Sequence, residues 1–113
     1  MGRTGTSLLH GTLDLVVLRA LSWGRMHGYG IARWIERTTN DALSVEEGSL
    51  YPALYRLEGE GVIRSRWGVS ETGRRAKYYE LTAKGHTRLE QEREAWTRFA
   101  RAMGRVIRAE PAE

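Results

Sequence analysis

A chain of 113 residues, 41% hydrophobic and 28% charged, has the length of one domain and the composition of a folded globular protein, which argues against disorder. The absence of cysteine excludes disulfides, thiolate metal sites and cysteine nucleophiles, while 18 Lys and Arg against 14 Asp and Glu permit a nucleic-acid or acidic-membrane partner without establishing one. His10, His27 and His86 are not spaced as a ligand pair, Leu15–Leu18 is far too short an apolar run for a membrane span, and MGRTGTSLLHGT has no apolar signal core, so a cytoplasmic protein without metal or cofactor is expected.

The first element, TLDLVVLRALS from Thr12 to Ser22, has helix composition, a Thr cap, Asp14 in the first turn and Gly24 as a stop. Leu13, Val16, Val17, Ala20 and Leu21 make one face, yet Leu15 and Leu18 point elsewhere, leaving mainly Asp14 and Arg19 for water. A helix apolar most of the way round needs cover on two sides. In so small a protein, the second cover is expected to be another subunit.

The link WGRMHG leads into a second helix, Tyr29 to Thr39, with Ile31, Ala32 and Ile35 at helical spacing and Asn40 and Asp41 as closing turn residues. Gly28 and Gly30 are expected to ease a tight entry to it, and His27 to be solvated or a local cap. Leu43 to Val45 is long enough only for a stub of strand.

The third helix, GSLYPALYRLEGEG from Gly48 to Gly61, carries Leu50, Ala53, Leu54 and Leu57 on its core side. Its outward side holds Ser49, Pro52, Tyr55, Arg56 and Gly59, with Tyr51 at the border. Proline is tolerated there because first-turn amides have no helical acceptor. Ser, Tyr and Arg can donate to phosphate oxygens or base edges, and a helix N-terminus offers free amides to an anion. The plainer reading is that both tyrosines pack half-buried on neighbouring elements.

After Gly61 come VIRSRWGV, SETG and RRAKYYELT, two β-favouring runs around a Gly-containing turn, which predict a hairpin whose first strand alternates Ile63 and Trp67 against Arg64 and Arg66. The fold class is mainly α with a β-hairpin. Three helices and a hairpin, in that order, match a winged helix-turn-helix, whose third helix enters the DNA major groove. Charge is divided unevenly between the two parts. Glu46–Glu60 holds one basic and four acidic residues, whereas Arg64–Lys77 holds five basic and one acidic. Arg74, Arg75 and Lys77 are therefore candidates for phosphate neutralisation or a minor-groove contact; a solvated hairpin tip is the alternative.

Thr82 would cap a final helix through Arg108, with fraying expected at Gly104 and the AEPAE tail. Leu89, Trp96, Phe99, Met103 and Val106 recur at heptad-like intervals, a seam that calls for a partner helix. Together with Leu15 and Leu18 these are the expected dimer contacts. The expected organisation is a winged helix over 1–81, a dimerisation helix over 82–108 and a tail over 109–113.

LLHGTLDLVVLRAL, HGYGIARWIE, EEGSLYPALYRLEGEGVIRSRW and GRRAKYYELTAKG, in that order, resemble the PadR family of bacterial transcriptional regulators from Leu8 to about Gly85. The resemblance implies a homodimeric winged-helix protein, usually a repressor, that holds palindromic double-stranded operator DNA with its third helix and wing and dimerises through its last helix. By position it assigns Ser49, Tyr51, Pro52, Tyr55 and Arg56 to the recognition helix and Arg74, Arg75 and Lys77 to the wing. The single helix after the wing places the chain with the short members. Some of these bind flat aromatic compounds between subunits through a tryptophan of the last helix. Trp96 is the matching candidate, and interface packing is its other reading. Trp23, Trp34 and Trp67 are expected to pack in the core or half-exposed, with no assigned role. A winged-helix module that binds another protein, favoured by the acidic ends of the third helix, is the competing class. The sequence carries no motif for an enzyme.

Overall fold

The computed structural model describes residues 6–7 and 12–112; His10 and most of the N-terminal stretch lie outside them. In chain order the elements are β1 (Thr6–Ser7), α1 (Leu13–Leu21), β2 (Met26–His27), α2 (Gly28–Thr38), β3 (Leu43–Ser44), α3 (Glu47–Gly59), β4 (Ile63–Val69), β5 (Arg75–Leu81) and α4 (Ala83–Arg108). Strands β2, β5 and β4 form an antiparallel sheet in that order, and β1 pairs in parallel with β3. This is a winged helix-turn-helix with a long C-terminal helix.

The core is built where the apolar faces of α1, α2 and α3 converge on the inner face of the sheet. Val17, Leu18, Ile31, Ile35, Leu50, Leu54 and Leu57 are completely or almost completely buried. Alternation along the strands adds Ile63, Tyr79 and Leu81 from the same face. Met26–His27, read from sequence as part of a link, is a strand because Met26 pairs with Tyr79 and His27 with Tyr78. Two residues give no periodicity to detect.

Local chemistry fixes the ends of the elements that carry the wing. After α3, Val62 N–H donates to the Leu57 carbonyl at 3.2 Å and Gly61 N–H to Glu58 at 3.0 Å, the paired bonds of a Schellman stop, with Gly61 at φ +79° where a side chain would be strained. The Thr82 hydroxyl accepts Gly85 N–H at 3.0 Å and donates to the Gly61 carbonyl at 2.7 Å, so one residue caps α4 and ties it to the end of α3. A Cβ on Gly85 would overlap the Val62 carbonyl oxygen, so α4 can approach β4 this closely only with glycine there.

Of the expected dimer contacts, Leu18 is 0% exposed and Leu89 only 4%, both within the core of a single protomer. On α1 the apolar residues left half-covered are Leu15 and Val16. Beyond Leu89, α4 leaves the core: Trp96, Phe99, Met103, Val106 and Ile107 are all exposed. The helix passes through Gly104 without a break, contrary to the expected fraying. The radius of gyration is 16.2 Å, against about 13 Å for a compact chain of this length. The projecting half of α4 accounts for the excess.

Candidate nucleic-acid interface

On α3 the expected division of faces is present. Leu50, Ala53, Leu54 and Leu57 are buried, while Ser49, Tyr51, Pro52, Tyr55 and Arg56 are exposed. Tyr55 is 83% exposed, an uncommon position for an aromatic with nothing to pack on. Tyr51 is partly held: its ring lies so close to Gly28, at the start of α2, that a Cβ there would sit 2.5 Å from the tyrosine hydroxyl oxygen. Close approach to Tyr51, more than turn geometry, is what Gly28 provides. His27 caps α2, its Nδ1 accepting Gly30 N–H at 2.9 Å, which is the local-cap reading of that histidine.

Arg56 departs from the sequence-based expectation of a cation open to DNA. Its two terminal nitrogens donate to the two Asp14 oxygens at 2.9 and 2.7 Å, and its Nη1 lies 3.6 Å from Glu60. The hydrogen bond to Asp14 raises the Arg56 pKa above its ordinary value against a smaller opposing effect of burial. Glu60 in turn pairs with Arg88, which lies 3.9 Å from Glu92 of α4. Arg56 therefore ties α3 to α1, and Glu60 at the end of α3 ties it to α4. No local pattern could have signalled this, since 42 residues separate it from Asp14.

The hairpin presents its cations differently. Val69 pairs with Arg75, Trp67 with Lys77 and Ser65 with Tyr79, so Trp67, Val69, Arg75 and Lys77 share the face that packs on α3 nearer the base. There Ser65 donates to Glu58 of α3 at 2.6 Å. Further out the strands run past the core, leaving Trp67 55% and Val69 72% exposed. The Arg75 guanidinium stacks on the Trp67 ring at 4.4 Å. Such a stack orients the charge without neutralising it. At the tip, Ser70 N–H donates to the Arg74 carbonyl at 2.7 Å and Gly73 N–H to Ser70 at 2.9 Å, giving Arg74 an ordered turn to project from.

The sequence does not single out Val69 as an exposed wing residue, and Trp67, expected in the core or half-exposed, takes the half-exposed position. Their alternation is that of a core face, and only the length of the strand beyond the core turns it outward. Trp23 is likewise exposed, with Arg19 over its ring at 5.1 Å, whereas Trp34 is half-buried. Beside Trp34 an open apolar groove of about 320 Å³ is bordered by Leu15, Val16, Ile35, Leu43 and Trp96. Among the described residues no group of three or more His, Asp and Glu could hold a metal, and no helix is long and apolar enough to cross a membrane.

An exposed polar helix beside a basic hairpin defines the working surface of a winged-helix regulator. Residues 17–91 match the PadR-like family of transcriptional regulators, and the chain belongs to that family. A transcriptional regulator from Clostridium thermocellum superposes with a TM-score of 0.76 at 33% identity, covering 84% of this chain and 92% of the other. A PadR-like transcriptional regulator from Bacillus cereus gives 0.75 at 28% identity, covering 88% and 95%. The Escherichia coli transcriptional regulator YqjI is 33% identical over 97% of this chain but only 54% of its own, so the chain spans about half the length of that relative.

Proposed function

We propose that this protein is a homodimeric, sequence-specific DNA-binding repressor of a nearby operon. Ser49, Tyr51, Pro52 and Tyr55 enter the major groove from α3, and Arg74, Arg75 and Lys77 hold phosphates or the minor groove from the wing. Arg56 keeps α3 in place. The observation that carries this reading is the pairing of an exposed, donor-rich α3 face with a hairpin whose Arg75 stacks on Trp67 and whose Arg74 is exposed at the tip, on a fold whose family members are transcriptional regulators.

The exposed stripe of Trp96, Phe99, Met103 and Val106, with Leu15 beside it on α1, supports a second copy as the cover for α4. Trp96 also borders the groove between α1, α2 and α4, which supports a small aromatic effector that releases DNA. Footprinting of the purified protein on DNA upstream of its own gene, repeated with planar aromatic compounds, tests these points together. The expected result is protection of an imperfect palindrome with half-sites about 10 bp apart or a multiple of that, lost on adding the effector. The acidic balance of α3 favours a second reading, a winged helix that binds another protein. Absence of any gel shift at low salt, with a stable protein complex recovered from lysate, would support it.

A further inference from the structure

Alternation along the hairpin divides the basic residues of the wing between two faces, and the proposed function uses only one of them. Arg64 stands opposite Glu80 and Arg66 opposite Tyr78 on the face turned away from α3. Continuing the pairing of β2 with β5 places Arg25 beside Glu80 on that same outer face. The Arg25 guanidinium lies over the Tyr78 ring at 4.8 Å, and the His27 ring flanks Tyr78 at 5.2 Å.

The three arginines border a shallow depression of about 40 Å³ together with Ser65, Tyr78 and Glu80. Its one carboxylate hydrogen-bonds Arg64 at 2.6 Å, and that bond is the main reason the Glu80 pKa lies below its ordinary value. Arg64 is thereby compensated, and Arg25 and Arg66 remain as two cations facing solvent. The space is too small for a flat organic ligand or a nucleotide but suits one oxyanion group, the partner a planar guanidinium fork matches best.

We propose that this outer face is a second DNA-phosphate surface, in which Arg25 and Arg66 hold the backbone on the side of the minor groove opposite the strand met by Arg75 and Lys77. The minor groove is only about 6 Å wide, so a β-ribbon laid over it is bordered by a phosphate backbone beyond each of its faces. One face of the wing carries Arg75 and Lys77, and the other carries Arg66, with Arg25 brought forward by its stack on Tyr78. The inference rests on the DNA-binding reading and extends it to residues outside the recognition helix and wing tip.

The test is the salt dependence of binding to a mixed-sequence duplex of about two to three helical turns, followed by fluorescence anisotropy between about 50 and about 200 mM salt. Arg25→Gln with Arg66→Gln should lower the slope of log K against log salt by about 1.8 per bound protomer, about 3.6 for the homodimer, since each phosphate contact contributes about 0.9. Arg25→Lys with Arg66→Lys keeps the charge and should restore most of that slope, which a merely structural role would not predict. Thermal unfolding of both variants should match the parent. A slope change below about 0.5 in the Gln pair overturns the proposal. Arg74→Ala with Arg75→Ala, measured in the same way, separates the two failures: if it lowers the slope and the outer pair does not, only this proposal falls, and if neither does, the DNA-binding reading falls with it. Titration with inorganic phosphate identifies a free-anion site. Phosphate binding lost in the Gln pair while its DNA slope stays at the parent value would also overturn the assignment to DNA.

Discussion

The third helix and the hairpin lie side by side but are held in opposite ways. Helix α3 is acidic on balance, and its one arginine is clamped by Asp14 across to α1. The hairpin is basic, and Arg75 is oriented by the Trp67 ring in place of a carboxylate. A charge that already has a protein counter-ion must give it up to bind phosphate, whereas a charge stacked on an aromatic ring gives up little. The difference teaches that position and grip are separate tasks here: α3 is fixed in orientation and offers hydrogen-bonding side chains, while the hairpin offers charge.

The largest effect should come from removing that charge. Arg74→Ala with Arg75→Ala should weaken binding to every duplex by roughly 10- to 100-fold near physiological salt, measured by anisotropy on operator and mixed-sequence DNA alike. Tyr55→Ala should cost about 10-fold on the operator and almost nothing on mixed sequence; equal losses on both would remove the distinction between reading and gripping. Trp67→Ala should lower affinity for both DNAs by about threefold through release of Arg75, with Trp67→Phe close to the parent. An unchanged affinity in Trp67→Ala would mean that the stack does not matter.

Asp14→Asn tests the clamp on α3. It should lower stability by less than about 1 kcal/mol, because Arg56 is nearly half exposed and solvent screens the pair. Thermal unfolding reads the loss, and mixed-sequence binding should not weaken. The smallest effect concerns Glu92, whose pKa is raised first by burial and then by the Asp14 charge. A raised carboxyl pKa means that the folded state holds the proton more tightly, so this group's contribution to stability falls as pH rises from the ordinary carboxylate range through the raised value. Glu92→Gln should flatten that part of the stability profile by less than about 0.5 kcal/mol, since the side chain is only partly withdrawn from solvent. A steeper profile in the variant would reverse the sign.

Periodicity was enough to place α1 to α4 and the hairpin, because each buries a stripe repeating at 3.6 or 2 residues. The core side of α3 was legible for the same reason. The two-residue strand β2 was not, since its pairing with β5 is a long-range event. A helical wheel shows which residues want cover but not which neighbour supplies it, and Leu18 and Leu89 find theirs within the protomer. The Arg56 clamp and the Arg75 stack both depend on rotamers and distant partners that spacing does not encode. Trp67 and Val69 keep the alternation of a core face because alternation continues unchanged where a strand outruns the domain.

The claim that the hairpin grips while α3 reads is tested most directly by the salt slope and the operator preference of two variants measured together. For Arg74→Ala with Arg75→Ala the salt slope should drop by about 1.8 per bound protomer, about 3.6 for the homodimer, with the ratio of operator to mixed-sequence affinity preserved. For Tyr55→Ala the slope should hold while that ratio falls by about 10-fold. The opposite pattern, a preserved slope in the hairpin pair and a reduced one in the helix variant, would contradict the account.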